Sequence, residues 1–344
     1  MPAETAPIPP GGAAQTGELA LINSKADKLA AVLFAAFVVF NFGNSFSQTN
    51  QTSIAKSQYA RIVDSLWIRA ASGDIKFKDQ VEPSKKSIIE MGTQAIPQML
   101  TKLNTRDARE IQTVIDIFKG IGEPAVDPLS TFVNDSDPFA RRASIRCLEE
   151  IKNPRAIKPL LTVVNHDDFR TRAAAISALG SIGDSQADDA VMRALTDQNE
   201  LVATAAAVAC GKIKIGINIQ LLIGALLHPY YGVRYSAARA LASIGEPAIQ
   251  PLISHLNNSP NNKGAEYIIL ALGQIGSNKA AAILEKELKS DQWTIRAAAA
   301  EAMGRYKENK FHKSLNNALK TEMQPLVRTK IIDALVATDS NNGS

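Results

Sequence analysis

Little in this 344-residue sequence is chemically reactive. It has two cysteines, Cys147 and Cys210, and no Cys-x-x-Cys pair. That excludes a zinc ribbon, a thioredoxin-type dithiol and a disulfide-stapled scaffold. No Gly-x-Ser-x-Gly, Walker-type phosphate loop, Gly-x-Gly-x-x-Gly or His-Glu-x-x-His is present, so the motif-bearing hydrolase, nucleotide and zinc chemistries have no foothold. Neither sign of charge dominates. Against 38 basic residues stand 34 acidic ones, a formal net charge of +4, which is too balanced to argue for a nucleic-acid partner. Aromatic residues make up only 6%. What remains is a chain that is 45% hydrophobic and 21% charged, rich in Ala, Ile and Leu. That is the composition of a folded protein built from closely stacked helices. No catalytic residue, metal or cofactor is expected.

The N-terminus is a region of its own. Residues 1–28 form a Pro-, Gly- and Ala-rich leader with no apolar period, expected to be disordered. Lys25 and Lys28 then precede an unbroken apolar run from Leu29 to Phe40, and Asn41, Gly43, Asn44, Ser45 and Ser47 follow. As a helix, the run covers roughly 18 Å, or roughly 27 Å if extended to Phe46, against a hydrocarbon core of ~30 Å. Residues 29–46 are therefore expected to be a signal peptide or a membrane anchor. The short apolar region and the small-x-small site at Ser45-Phe46-Ser47 fit cleavage. The long leader ahead of Lys25 fits an uncleaved anchor instead. No Cys follows, which excludes a lipoprotein anchor. The bland alternative is a buried core helix. Both export readings put the rest of the chain outside the cytoplasm, in the cell envelope, with the membrane as a partner if the segment is retained. Residues 48–84 are read as a capping helix, with Ile54, Tyr59, Ile62, Val63, Leu66, Trp67 and Ala70 at helical spacing, and a charged linker.

From residue 85 to 339 the sequence repeats itself. The word Leu-Gly-Ser-Ile-Gly ends at Gly183, and related words end at Gly122, Gly245 and Gly276. Weaker copies end at Gly92, Lys152, Lys214, Lys307 and Asp339, and successive spacings run from 30 to 32 residues. Counting back from each end, positions 12, 8, 5, 4 and 1 are apolar or small, as in Val233, Ala237, Ala240, Leu241 and Ile244, or Ile295, Ala299, Ala302, Met303 and Tyr306. Gaps of 4, 3, 1 and 3 trace one face of an α-helix, called helix B below. A second helix, A, follows each end. Pro124, Pro154 and Pro247 stand at its start, where a missing N–H is tolerated. Pro128, Pro159 and Pro251 recur further in and are expected to bend it. About eight helix–turn–helix units of about 31 residues result, with residues 340–344 as a polar tail.

The units Gly-Glu-Pro-Ala-Val-Asp-Pro-Leu, from Gly122, and Val-Arg-Tyr-Ser-Ala-Ala-Arg-Ala-Leu-Ala-Ser-Ile-Gly, from Val233, resemble HEAT-like repeats of the phycobilisome-lyase type. The resemblance spans residues 85–339. It implies an all-α, right-handed α–α superhelix with helix B on its concave side, here behind an N-terminal hydrophobic helix. It implies little about function, because the repeat is reused widely.

Arginine recurs eleven residues before the unit ends, at Arg141, Arg172, Arg234, Arg296 and Arg328, with gaps at Ala203 and Ala265. Asp135, Asp167, Asp168 and Asp291 lie four to six positions earlier. Two readings stand side by side: an Asp–Arg ladder that caps helix B and links units, or a basic stripe that holds an acidic partner. The aromatics Phe139, Phe169, Tyr230, Tyr231 and Trp293 enter the same helix start. They either pack across the A–B turn or form a ligand-facing row with the arginines, since both residue types are enriched in binding hot spots. The candidate partner-binding residues are Tyr230, Tyr231, Arg234 and Tyr235, the densest cluster, with Phe169, Arg172, Trp293, Arg296 and Arg141.

The four histidines offer no metal set. His166 and His228 share a turn position two units apart, roughly 20 Å at the usual helix spacing, and cannot share an ion. The di-iron hydroxylases of this repeat class carry His-Glu pairs. Here Asp167, Pro229, Leu256 and Lys313 follow the histidines. His166-Asp167-Asp168 reads as a solvated turn, and the two cysteines read as buried thiols too distant to bridge. The expected function is therefore a non-catalytic interaction scaffold that binds a protein or peptide on its concave face. The alternative implied by resemblance is a lyase-like helper in chromophore attachment or another protein modification.

Overall fold

The computed structural model describes residues 48–213, 218–258, 264–306 and 309–340. The leader of residues 1–28, the apolar run of 29–46 and most of the polar tail lie outside the described residues. Among those described, no helix is long and apolar enough to cross a membrane. The chain divides into two units, residues 1–58 and 59–344. Every described residue outside turns and links is helical.

Helix α1, Gln48–Ala70, is followed by a 3₁₀ turn, Ile75–Gln80, and by α2, Val81–Glu90. Eight A–B pairs then follow. The A helices are α3 Ile96–Leu100, α5 Val126–Ser130, α7 Ile157–Leu161, α9 Asp188–Ala194, α11 Ile219–Ala225, α13 Glu246–Asn258, α15 Ala281–Glu287 and α17 His312–Thr321. The B helices are α4 Ala108–Ile121, α6 Pro138–Ile151, α8 Phe169–Ile182, α10 Glu200–Ile213, α12 Tyr231–Ile244, α14 Ala265–Ile275, α16 Trp293–Met303 and α18 Pro325–Ser340. Seven of the eight B helices end within one residue of a repeated unit end, and α16 ends four before Lys307. The glycine there has a conformational reason. Gly183 and Gly276 take the left-handed conformation that closes a helix, and Gly122 and Gly245 also have positive φ. Lys152 adopts the same conformation without being glycine.

The apolar offsets hold. Val233, Ala237, Ala240 and Leu241 are buried, as are Ile295, Ala299, Ala302, Met303 and Tyr306. The prolines behave otherwise than expected. Pro128 and Pro159 lie in the first turn of α5 and α7, where no i→i−4 bond is lost, so they do not bend a helix. Helix A starts as a 3₁₀ turn in those units and also at Ser185–Ala187 and Asn278–Ala280, where no proline is present. Only Pro251 lies inside a continuous helix, α13.

Packing is dominated by the B row. Successive B helices lie directly on one another along the array, whereas A helices touch each other sparsely. The B row is called the inner row below, as the resemblance implies. Close spacing needs small residues. Cβ atoms added at Gly180 or Gly273 would come within 2.3 Å of Ala209 or 2.5 Å of Ala302, and those at Gly211 and Gly304 would come within 2.9 Å of Ala240 and 2.8 Å of Ala334. Each glycine stands three residues before its unit end, and each alanine five before the next. Gly224, on α11, faces open space.

Gly180→Ala should therefore lower stability by about 1–3 kcal/mol through forced separation of α8 and α10. Gly224→Ala should leave stability unchanged or raise it by up to ~1 kcal/mol through helix propensity. Urea unfolding of the two variants beside the parent measures both. Equal midpoints would refute the close-contact account.

Candidate functional site

The A–B turns are built on one rule. Among the described residues, a side chain seventeen before most unit ends accepts the backbone N–H two residues on. Asp135, His166, Asp197, His228 and Glu322 do this for Asp137, Asp168, Asn199, Tyr230 and Gln324, at 2.8, 2.9, 2.8, 3.3 and 2.9 Å. Next, Asp107, Asp137 and Asp168 cap the following B helix through their carboxylates. His166 and His228 thus have a structural role through Nδ1. Burial, and then the charge of Arg234, hold His228 below the usual histidine range, in keeping with an accepting nitrogen. Among the described residues, no group of three or more His, Cys, Asp or Glu is placed to hold a metal.

The arginine series locks these turns. Nη1 of Arg141, Arg172, Arg234, Arg296 and Arg328 donates to the carbonyls of Asp135, His166, His228, Ser290 and Glu322, at 2.6–2.9 Å and always six residues back. Arg172, Arg234 and Arg296 also reach the carbonyls of Asp167, Pro229 and Asp291. The ladder differs from the one expected. Asp135, Asp167 and Asp291 offer main-chain carbonyls and not carboxylates, and the carboxylates come from the next unit. Asp197 takes Nε and Nη2 of Arg172 at 2.9 and 3.0 Å, and Glu322 takes those of Arg296 at 2.7 and 3.0 Å. Arg141, itself buried, donates to Thr171 at 3.0 Å and lies 3.8 Å from Asp168. Arg141, Arg172 and Arg296 are thus committed to the fold rather than presented as a basic stripe.

The aromatics divide. Phe139 and Phe169 are half-buried, with Arg106 and Arg142 over the first ring and Arg170 over the second. Tyr230 lies beside His228, with centroids 5.4 Å apart. Tyr231 and Tyr235, one turn apart on α12, stack at 6.0 Å and are 63% and 41% exposed. Tyr267, on the neighbouring α14, meets Tyr231 edge-on at 6.3 Å and lies beneath Arg234 at 5.2 Å. Arg239 lies over Tyr235 at 5.9 Å. Trp293 heads α16, two units along, and is 42% exposed. Of the sequence-nominated cluster, the fold brings Tyr231, Arg234 and Tyr235 together. It adds Tyr267 and Arg239, whose only signal was their offset on the helix.

This surface belongs to the outward stripe of the B row, the positions 14, 10, 6 and 2 before each unit end. Elsewhere on the inner face, ion pairs and hydrogen bonds bridge neighbouring units: Lys85 to Asp116, Lys119 to Glu150, Lys212 to Ser181 and Lys330 to Glu301, all at 2.8–2.9 Å. Around α12 the stripe carries Phe169, Ala173, Ser177 and Ser181, then Glu200, Thr204, Val208 and Lys212, then Tyr231, Tyr235, Arg239 and Ser243, then Glu266, Leu270 and Gln274. Both cysteines are buried and unpaired, and burial pushes the Cys210 thiol up to about 12.

The sequence matches the family description "HEAT repeats" over residues 96–171, 157–242 and 249–336, more than half of the chain. The chain belongs to the HEAT-repeat family. Residues 233–258 also match the "PBS lyase HEAT-like repeat". No curated protein matches the sequence. Among solved structures, Kap95p in its complex with RanGDP aligns with 94% of this chain and 54% of its own, at 10% identity and a TM-score of 0.51. That likeness supports the solenoid fold alone. Human deoxyhypusine hydroxylase is 21% identical over 75% of this chain and 99% of its own, at a TM-score of 0.33. The complex of CpcE and CpcF of phycocyanin lyase from Nostoc sp. PCC7120 is 19% identical over 70% and 94%, at 0.36.

The cross-unit pairs give acid sensitivity a definite sign. The hydrogen bonds from Arg296 hold the Glu322 carboxyl below its usual range against burial. Burial alone would raise Asp197, but the bonds from Arg172 and Asn199 outweigh it and lower that carboxyl too. Depressed folded values mean that these pairs stabilise the fold above the ordinary carboxylate range, and that the stabilisation disappears as pH falls through it. Between about pH 5 and pH 3 the parent should lose unfolding free energy. Glu322→Gln should start lower at pH 7 by roughly 1–3 kcal/mol and lose less on acidification. Urea midpoints at the two pH values decide it. A variant with the parent's pH dependence would remove Glu322 from the account.

Proposed function

We propose that this chain is a non-catalytic interaction scaffold of the cell envelope that docks a protein or peptide on the inner face of its HEAT array, at Tyr231 and Tyr235, with the buried Tyr267 supporting Tyr231 edge-on. The observation that carries the reading is the exposure of stacked aromatic rings on a rigid row whose other conspicuous side chains are tied into the fold. Tyrosine offers large contact area at small conformational cost, and clustered aromatics are the usual anchors of a docking surface. The arginine ladder supports the site without contributing to it, since Arg234 fixes the turn from which Tyr231 springs. A protein partner is in keeping with the solenoid neighbours, Kap95p among them, which was solved bound to RanGDP.

Placement in the envelope rests on residues 29–46. Their lysine-flanked apolar run is either a cleaved export signal or a retained N-terminal hydrophobic helix that tethers the array to the membrane. The lyase-like alternative has only the repeat type behind it.

Fractionation of the native cell followed by N-terminal sequencing tests the placement. A mature start at Gln48 means a released scaffold, a full-length chain in the membrane fraction means a tether, and a full-length chain in the cytoplasmic fraction defeats the envelope assignment. Cross-linking pull-down tests the docking surface. Tyr231→Ala with Tyr235→Ala should reduce recovery of specific partners at least tenfold while leaving the unfolding midpoint within ~0.5 kcal/mol of the parent. Undiminished recovery would remove the tyrosines from the interface.

A further inference from the structure

One position of helix A is apolar and buried or half-buried in six units, as Ile96, Val126, Ile157, Ile219, Ile249 and Ala281. In the last unit His312 stands there, and its ring nitrogen meets the Thr338 hydroxyl at 2.7 Å. In α9 the residue is Asp188. It is only 8% exposed, and its Oδ1 is buried with no hydrogen-bond partner among the described residues. The other such atoms, Thr204 Oγ1 and His255 Nε2, belong to groups that need carry no charge. Burial, and then the charges of Asp189 and Asp184, push the Asp188 carboxyl above the usual aspartate range. No nearby cation offsets this. Arg193 on α9 and Lys158 on α7 are exposed, Lys212 on α10 is bonded to Ser181, and α11 and residues 173–182 of α8 carry no charge. From α10 the titratable group that feels Asp188 is the Cys210 thiol, and Glu200 stands exposed at the start of that helix.

The two rows are unequally tied at this place. Elsewhere the outer row is bridged: Arg155 reaches Glu123 and Asp127, Lys279 reaches Glu246, and Ser314 reaches Glu285. Between α9 and the start of α11 stands a bond from the Asn218 N–H to the Met192 sulfur at 3.3 Å, and sulfur is a weak acceptor. Among the described residues, no ion pair joins α9 to α7 or to α11. Ala203 also stands where an arginine locks the A–B turn in other units. Ala265 does so in α14, but there helix A keeps Ile249 in its core. The inner row, by contrast, is tight. Gly180 on Ala209 and Gly211 on Ala240 hold α10 against both of its neighbours. A close inner contact beside a loose outer one is the geometry of a hinge.

We infer that residues 184–213 form a proton-sensitive joint in the array, with α10 as its pivot and α9 as an outer clasp that ionised Asp188 loosens and protonated Asp188 closes. An ionised carboxylate in an apolar layer without a partner is costly, and parting of the A helices lets water reach it. A protonated one lies in the same layer at far smaller cost. The sign is opposite to that of Asp197 and Glu322. A carboxyl raised above its unfolded value destabilises the closed state above the raised value, and this cost fades as pH falls towards the ordinary aspartate range. The joint does not depend on the docking reading.

Hydrogen exchange of the full-length chain in detergent, at about pH 7.5 and about pH 5 and corrected for intrinsic exchange, provides the test. On acidification, protection of residues 184–195 should rise about threefold or more, while that of α13 does not. Asp188→Asn and Asp188→Ile should abolish the rise, and Asp188→Ile should be as protected at the higher pH as the parent is at the lower. Spin labels at Lys158→Cys and Gln220→Cys, both exposed, report the separation of α7 and α11, since the native cysteines are buried. Their distance distribution should be longer or broader at the higher pH in the parent and insensitive to pH in Asp188→Ile. Protection that stays level or falls on acidification, or a rise that Asp188→Asn retains, overturns the proton sensing. A rise with no change in the label distances shows that α9 frays in place, and overturns the hinge.

Discussion

The array depends on how closely one B helix can approach the next. At four crossings a glycine three residues before a unit end faces an alanine five before the following one, at distances that leave no room for a methyl group. Such contacts bring backbones together and give many dispersion contacts per helix turn, each small but collectively large. If the inner row were held apart by larger side chains, the A helices would no longer reach the B helices of the adjoining unit. No unit could survive alone, since its apolar faces are covered only by its neighbours.

The second constraint is polar. The stack must satisfy the carbonyls of its A–B turns, and at five of the eight it does so with an arginine bonded six residues back. The same guanidinium then reaches forward to a carboxylate in the next unit, at Asp197 and Glu322. One side chain thus fixes a turn and the step between turns. This explains why the arginine recurs without being displayed. In α10 and α14, Ala203 and Ala265 take its place and are buried. The charge-bearing repeat is therefore scaffold chemistry, and function must be sought where the pattern is departed from.

Much of the fold was legible in the sequence, because a 31-residue period reports contacts within a unit directly. The buried offsets, the closing glycines and the role of Pro124, Pro154 and Pro247 could all be read from single units. Contacts across units could not. That Arg172 meets Asp197, and Arg296 meets Glu322, requires knowing which edge of a helix its successor covers, and periodicity alone is silent on that. The glycine–alanine crossings were hidden for the same reason: Gly180 and Ala209 are unremarkable until stacked. The proline expectation failed on a local point. A proline two residues inside a short helix still lies in the first turn, where it removes nothing. At the candidate site, the sequence marked Tyr231, Arg234 and Tyr235 by density. It overlooked Tyr267 and Arg239, which belong to the same surface only through the approach of α14 and the third turn of α12.

Regularity makes departures informative. Every position of a repeat is repeated under the same packing demand, so a side chain that differs from its equivalents answers to something else. Ten residues before the unit ends, the inner row carries Ala173, Thr204 and Glu266 at the positions corresponding to Tyr235. Six before, it carries Asp116, Arg146, Ser177, Val208, Leu270, Glu301 and Asp333 at those corresponding to Arg239. Tyr235 is not demanded by the stack, since no other unit places an aromatic residue there. It remains 41% exposed and stacks on Tyr231, which is 63% exposed. An aromatic ring left in water forgoes the free energy of burial, roughly 25 cal/mol per Å² of apolar surface. That loss is recovered when a partner covers the surface.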